Sequence, residues 1–465
     1  MTKQIHLNAF AQHSVSPHAI GLWKHPDHEG DAHGSLSYWL KLSEILERGT
    51  FDTLFLADVL GIYDVYEGSS RAALEQAVQV PAHDPTVIVS ALAQATKHLG
   101  FAVTVSATYA SPYKLARLFS TLDHVTDGRI AWNVVTGYLE SEARNLGLAG
   151  RIQHDERYDR ADEFLEVVYK LWEQSWERDA IVKDVQKGRY IDSSKVHPIR
   201  HEGKYFDVPG IHLVDPSPQR TPVLFQAGAS SRGRDFAAKH AEAIFTDTQN
   251  SKEAVSALRS FTADLRRRLQ WNGRRPDALK VFPGFVPVVG STEEEAWRHY
   301  EELKSYVNYD GSAALLSGHA GFDFSTLDPD EYVENLPSGA IQSTFESYTS
   351  TKPDAKWTVR DAILHHGIGA GSTPIVGTPE QIADRLETLV VDGGADGFNV
   401  GQTVTLRSIE TFVDEVVPEL RARSLFRETY EDGTLRERLF GKGQRELRDD
   451  HYGRRVTIEK GDVFA

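Results

Sequence analysis

Cysteine is absent from the 465 residues. That absence excludes disulfides, thiolate zinc sites, thiolate-held iron–sulfur clusters and a cysteine nucleophile. No apolar run approaches the roughly 18 residues needed to span a bilayer. The start, Met1-Thr2-Lys3-Gln4-Ile5-His6-Leu7, enters a strand pattern with no signal-peptide core. Positive charge is scarce: 51 Lys and Arg stand against 67 Asp and Glu, a net charge of −16. This argues against nucleic acid or an acidic membrane as partner. Also missing are a Walker-type phosphate loop, a nucleophile elbow of the Gly-x-Ser-x-Gly kind and a nicotinamide fingerprint. No paired-carboxylate or Schiff-base lysine pattern stands out. A soluble, cytoplasmic protein is expected.

What is present is an alternation. The 40% apolar fraction is enough for a large core. Apolar runs predict strands over 5–10, 53–58, 101–108, 129–135, 223–228, 243–246, 281–289 and 397–401. Spacing of the 3.6 type predicts helices over 37–48, 86–98, 113–125, 155–172, 234–240, 252–270, 293–306, 379–391 and 408–420. Eight strands alternating with helices, several of them continuously apolar, are the pattern of an α/β protein of the (β/α)₈ barrel type. Thr378, Pro379 and Gln381 read as an N-cap, an N1 proline and a capping box. Polar stretches at 175–213 and 308–375 read as insertions, the longer one between strands seven and eight and suited to a lid. The domain reading is one barrel over 1–420 with a charged C-terminal extension over 421–465.

The sharpest motif is Gln226-Ala227-Gly228-Ala229-Ser230-Ser231-Arg232-Gly233, between the strand Pro222-Val223-Leu224-Phe225 and a helix. Strand, small polar turn and helix place free N–H groups and two hydroxyls where an anion binds. Further polar residues fall at strand ends, where a barrel carries its active face: Asp58, Thr104, Ser106, Asn133 and Gln226. Tyr158 lies on the apolar stripe of the 155–172 helix, so it either packs in the core or reaches the phosphate held by Ser230 and Ser231. The histidine-rich stretch 25–33 fits no zinc template and reads as a solvated loop, so no metal is expected. Gly367-Ile368-Gly369-Ala370-Gly371 lacks the strand and acidic residue of a dinucleotide loop and reads as a flexible connection.

With these motifs assembled, the chain resembles the bacterial-luciferase-like flavin monooxygenases. Within them it is similar to the branch of the nitrilotriacetate, dibenzothiophene-sulfone, dimethyl-sulfide and long-chain alkane monooxygenases. The resemblance runs from Leu7-Asn8-Ala9-Phe10 to about Asp450. It is carried by Phe55-Leu56-Ala57-Asp58-Val59, Tyr63-Asp64-Val65-Tyr66, Ser120-Thr121-Leu122-Asp123-His124, the stretch Gly128 to Thr136, the stretch His154 to Asp162, and Pro216-Ser217-Pro218-Gln219-Arg220-Thr221-Pro222.

The resemblance implies reduced FMN (FMNH₂) and O₂ as cosubstrates. One oxygen atom would be inserted, through a flavin peroxide, into a small or elongated, largely apolar organic molecule. Asp58, Thr104, His154, Tyr158 and Ser230 match flavin-binding positions, Ser231 adjoins them, and Asn133 matches a residue beside the flavin ring. Tyr63 and Gln79 match an active-site tyrosine and glutamine of the alkane enzyme. That enzyme's N-terminal cysteine and histidine are replaced by Ser14 and Pro17, with His18 next door, and another of its histidines by Tyr138. His319 corresponds to a histidine of the sulfone enzyme. His18, Tyr63, Gln79, Tyr138 and His319 are therefore the catalytic candidates, the histidines suiting proton transfer near neutral pH. With no nicotinamide motif, a separate NAD(P)H:flavin reductase is expected to supply FMNH₂. A homodimer or tetramer is also implied. The alternatives are a luciferase-like barrel oxidoreductase that does not use oxygen and a non-catalytic flavin-binding protein.

Overall fold

Eight parallel strands close on themselves in chain order. They are β1 (His6–Gln12), β2 (Thr53–Ala57), β3 (Gly100–Ser106), β4 (Ile130–Val135), β5 (Val223–Ala227), β6 (Ala243–Asp247), β7 (Lys280–Val289) and β8 (Gly397–Val400), and β8 pairs back onto β1 with His6 opposite Gly397. This computed structural model describes residues 4–16, 18–228, 230–247, 252–336 and 356–459. Pro17, Ala229, residues 337–355 of the long insertion and the last six residues of the extension lie outside the described residues. The architecture is the expected (β/α)₈ barrel. Each expected strand appears, because an uninterrupted apolar run can be buried on both faces only in such a sheet.

A further short strand, Thr373–Gly377, continues the sheet along the second half of β7, pairing Phe285 with Thr373. The helix after it starts as its sequence dictates. Thr378 caps it, Pro379 occupies the first turn, and Gln381 returns a hydrogen bond to the Thr378 N–H at 3.0 Å.

Phe10, Phe55, Phe225 and Phe282 fill the barrel interior. Leu435 and Leu439 of the C-terminal extension join the same cluster. The extension is thus a plug at the N-terminal end of the barrel. Leu435 N–H bonds to Gly128 C=O ahead of β4, and the fully buried Arg436 pairs with Glu242 ahead of β6 at 2.7 Å. Arg427 similarly reaches the buried Asp52 ahead of β2.

The 175–213 insertion forms two small hairpins, Ile181–Asp184 with Arg189–Ile191 and His201–Glu202 with Asp207–Val208. It connects a helix to a strand, so it belongs to the face opposite the barrel mouth. The long insertion behaves differently. Its helix Tyr309–Ala320 lies over the mouth, where a methyl group added at Gly318 would collide with the ring of Tyr63. Among the described residues no helix is long and apolar enough to cross a membrane.

Candidate active site

The carboxyl ends of the strands carry side-chain amides in an otherwise apolar barrel. Asn133 on β4 donates to Thr104 Oγ1 on β3 at 2.9 Å, leaving its own Oδ1 buried without a partner. Gln226 Oε1 on β5, both side-chain atoms of Gln12 on β1, and Asn399 Oδ1 on β8 are also buried and without partners among the described residues. Buried polar atoms normally find partners, and leaving one unmade costs about 1–3 kcal/mol. A ring of such atoms at one end of a barrel is a surface prepared for a polar ligand.

Beside it is the notch after β5. Ser230 caps the Ser231–His240 helix, its Oγ accepting the Gly233 N–H at 3.0 Å. The Tyr158 phenol hydrogen-bonds Ser230. A side chain at Gly228 would overlap the Gln226 amide and crowd the Tyr158 hydroxyl, so glycine keeps the notch open. Tyr158 is packed in the core against Phe236, with its hydroxyl at the notch beside Gly228. Ser231 is exposed and its hydroxyl faces Arg268 at 3.3 Å. His154 opens its helix in an exposed position, bonded to Asp155 at 2.8 Å and edge-on to Tyr158.

On the other side of the mouth the five catalytic candidates come together from four separate segments. Tyr63 donates to Gln79 Oε1 at 3.1 Å, shares a hydrogen bond with the Tyr138 hydroxyl, and lies 3.4 Å from His319 Nε2. His18 stacks on Phe10 at 4.2 Å; burial and then His319 disfavour it as a cation, and it in turn disfavours a charge on His366. His366, from the helix Val359–His366, meets His319 edge to face at 5.4 Å. The glycine-rich stretch expected to be a flexible connection is instead packed here, the Gly369 N–H donating to His18 C=O at 2.7 Å.

Burial decides which of these groups titrate. It pushes His18 down to about 3 and His319 down to about 4, so neither carries a proton at neutral pH. The expectation that these imidazoles titrate near neutrality fails for that reason. The groups held near 7 are carboxyls. Asp58, after β2, is pushed up to about 7 by burial and by Asp84 and Glu142. Glu142 is pushed up to about 7 by burial, against the opposing pull of Arg157.

Glu142, Arg157 and His366 were not singled out from the sequence. Arg157 had one signal: it lies four residues before Ala161 and seven before Phe164, on the core face of its helix, where a charge is unusual. The 25–33 stretch is largely exposed, as expected of a solvated loop, but two of its histidines turn inward. His33 is buried and His28 Nδ1 lies 3.2 Å from Thr405 Oγ1.

A closed parallel barrel with a polar mouth at its strand ends, and a small-residue turn leading into a capped helix after β5, has the form of a barrel enzyme. The family model for luciferase-like monooxygenases matches residues 9–397. A dimethyl-sulfide monooxygenase of Hyphomicrobium sulfonivorans is 47% identical over 97% of this chain and 93% of its own length. The crystal structure of DmoA from the same organism superimposes with a TM-score of 0.92 at 46% identity, covering 98% of this chain and 96% of that one. A long-chain alkane monooxygenase of Geobacillus thermodenitrificans is 47% identical over the full length of both chains. A riboflavin lyase crystallised with modified FMN and riboflavin gives a TM-score of 0.88 at 35% identity, covering 98% of this chain and all of that one. The chain belongs to the luciferase-like monooxygenases and is a flavin-dependent monooxygenase.

Proposed function

We propose that the protein is the oxygenase of a two-component system. It takes FMNH₂ from a separate NAD(P)H:flavin reductase and inserts one atom of O₂ into a small or elongated, uncharged, largely apolar substrate. In balance, RH + O₂ + FMNH₂ gives ROH + FMN + H₂O.

The residues present fit the cofactor. The unpartnered Asn133 Oδ1 and Gln226 Oε1 suit a ligand rich in N–H donors, and the Gly228 notch with Ser230 and Tyr158 suits a phosphate. Asp58, Thr104 and Asn133 would hold the ring end; Tyr158, Ser230 and Ser231 the phosphate end; His154 stands at the rim. When bound, reduced FMN supplies two electrons to dioxygen. The protein's own residues keep water out and place the substrate. The Tyr309–Ala320 helix covers the mouth above Tyr63. Tyr63 and Tyr138 stay protonated and can donate hydrogen bonds, while Gln79, His18 and His319 orient them or the substrate as neutral partners.

The observation that carries this reading is the neutral phenol–imidazole cluster around Tyr63, with no fixed charge among its members, set beside unpartnered amides. Such a chamber suits an apolar molecule with at most one hydrogen-bonding atom. The test is a screen of thioethers, sulfones, alkanes and halogenated compounds with added reductase under ¹⁸O₂. Product carrying one ¹⁸O supports the reading. Turnover of substrate with NADH and FMN but no reductase contradicts the two-component part. Oxygen uptake yielding only hydrogen peroxide with every compound contradicts the substrate part.

A further inference from the structure

Three charged side chains converge on the backbone of one active-site residue. Arg157 donates from its guanidinium to Gly137 C=O. The Glu142 carboxyl accepts the N–H of Tyr138. That carbonyl and that N–H belong to the same peptide unit. Arg151 then donates to the Tyr138 C=O at 2.5 Å. Gly137 sits at φ +67, and a Cβ there would overlap the Glu142 carboxyl, so the arrangement requires glycine.

Arg157 and Glu142 are 5% and 4% exposed. Removing such ionisable groups from water is costly, so a fold that retains them at one peptide gains something other than packing. The residue held this way carries the phenol that shares a hydrogen bond with Tyr63.

We propose that Glu142 and Arg157 are positioning residues for Tyr138: by gripping the Gly137–Tyr138 peptide from both sides they set where its phenol stands in the substrate chamber. The proposal rests on the reading above that this phenol faces the substrate. The groups that face Glu142 are Arg157 from the His154–Tyr169 helix, Asp58 from the end of β2, Tyr109 from the loop after β3, and Tyr63 and Tyr138 themselves. Burial lifts Glu142 to about 7. A protonated carboxyl is a weaker acceptor than a carboxylate. The grip on the Tyr138 N–H therefore tightens as pH rises through neutrality.

The test reads the peptide directly. In protein labelled with ¹⁵N-tyrosine, the Tyr138 amide is assigned by its loss in Tyr138→Phe. It is expected to titrate with a midpoint near 7 in the parent, to keep that titration in Asp58→Asn, and to lose it in the nearly isosteric Glu142→Gln. In kinetics with a substrate found by the screen, Glu142→Gln and Arg157→Lys are expected to raise KM about tenfold, with FMN affinity within twofold of the parent. An amide that does not titrate, or titrates equally in Glu142→Gln with KM unchanged, overturns the proposal. Tyr138→Phe separates the two levels. If that variant turns over substrate like the parent, the placement of the phenol against substrate fails, while the amide titration still judges the clamp.

Discussion

Tyr63 donates its hydroxyl proton to Gln79 Oε1 at 3.1 Å, and Gln79 is held in the left-handed backbone region at φ 51. A non-glycine residue there costs of order 1–3 kcal/mol and persists only where the surroundings over-determine it. Tyr63 also bonds Tyr138 and approaches His319, so one phenol ties together side chains from three segments.

Tyr63→Phe tests that organising role. The change removes the Tyr63 hydroxyl from Gln79 Oε1, from Tyr138 and from His319. A loss of about 1–3 kcal/mol in transition-state stabilisation is expected, roughly 5- to 150-fold in kcat/KM. FMN affinity should stay within twofold. Steady-state kinetics with a reductase present and flavin titration in its absence check the pair, and a parallel loss of FMN affinity would place Tyr63 in the flavin site instead.

Ser230 has two roles that substitution separates. As an N-cap it stabilises the Ser231–His240 helix, a contribution of about 1 kcal/mol. As a notch hydroxyl it would meet the phosphate. Ser230→Ala is expected to weaken FMN binding by about 1–3 kcal/mol and to lower Tm, whereas Ser230→Thr, which retains the hydroxyl, should keep the cap and most of the affinity. If Ser230→Ala lowers Tm but leaves FMN affinity unchanged, the hydroxyl only caps the helix.

Asp58 and Glu142 set a pH dependence whose sign follows from their raised values. A carboxyl that keeps its proton up to about 7 when folded, but ionises near 4 when unfolded, contributes least at alkaline pH. Stability is expected to fall as pH rises from about 4 through 7, because there the unfolded chain binds fewer protons than the native one. Asp58→Asn should therefore raise Tm more at pH 8 than at pH 5. Calorimetry at the two pH values checks it, and an equal shift at both would show that Asp58 is not held up in the folded state.

The C-terminal plug gives the largest expected stability effect. Arg436 and Glu242 are 0% and 3% exposed and lie 2.7 Å apart. Removing one partner leaves an uncompensated buried charge, at a cost of about 3–5 kcal/mol. Glu242→Gln is expected to lower Tm markedly while leaving the mouth intact. Denaturant unfolding measures the loss, and a change within 0.5 kcal/mol would mean that the pair is exchanged for water at little cost.

The barrel was legible because its evidence is local. Val223-Leu224-Phe225 reads as a buried strand wherever it is met, and Thr378, Pro379 and Gln381 specify a helix start within four residues. The packing of the extension was not legible, for the opposite reason. Arg427, Arg436 and Glu437 read only as part of a charged extension, yet Asp52 lies 375 positions before Arg427, and Glu242 lies 194 positions before Arg436. No local pattern announces a partner at that distance. The same holds for His28 in the 25–33 stretch, whose partner Thr405 lies 377 positions further along the chain.

In the candidate site, residue types were legible but protonation states were not. His18 and His319 carry the side chain whose ordinary titration is near neutral, and Asp58 and Glu142 carry one whose ordinary titration is acidic. The folded barrel reverses them, lowering both imidazoles and raising both carboxyls. Chain pattern alone determined the barrel strands, the Thr378 cap and the small polar turn after β5, since each is specified by neighbours a few residues apart. Only the tertiary structure decided which charges survive in the mouth and which peptide they hold, since proton affinity depends on how much water the surrounding elements exclude.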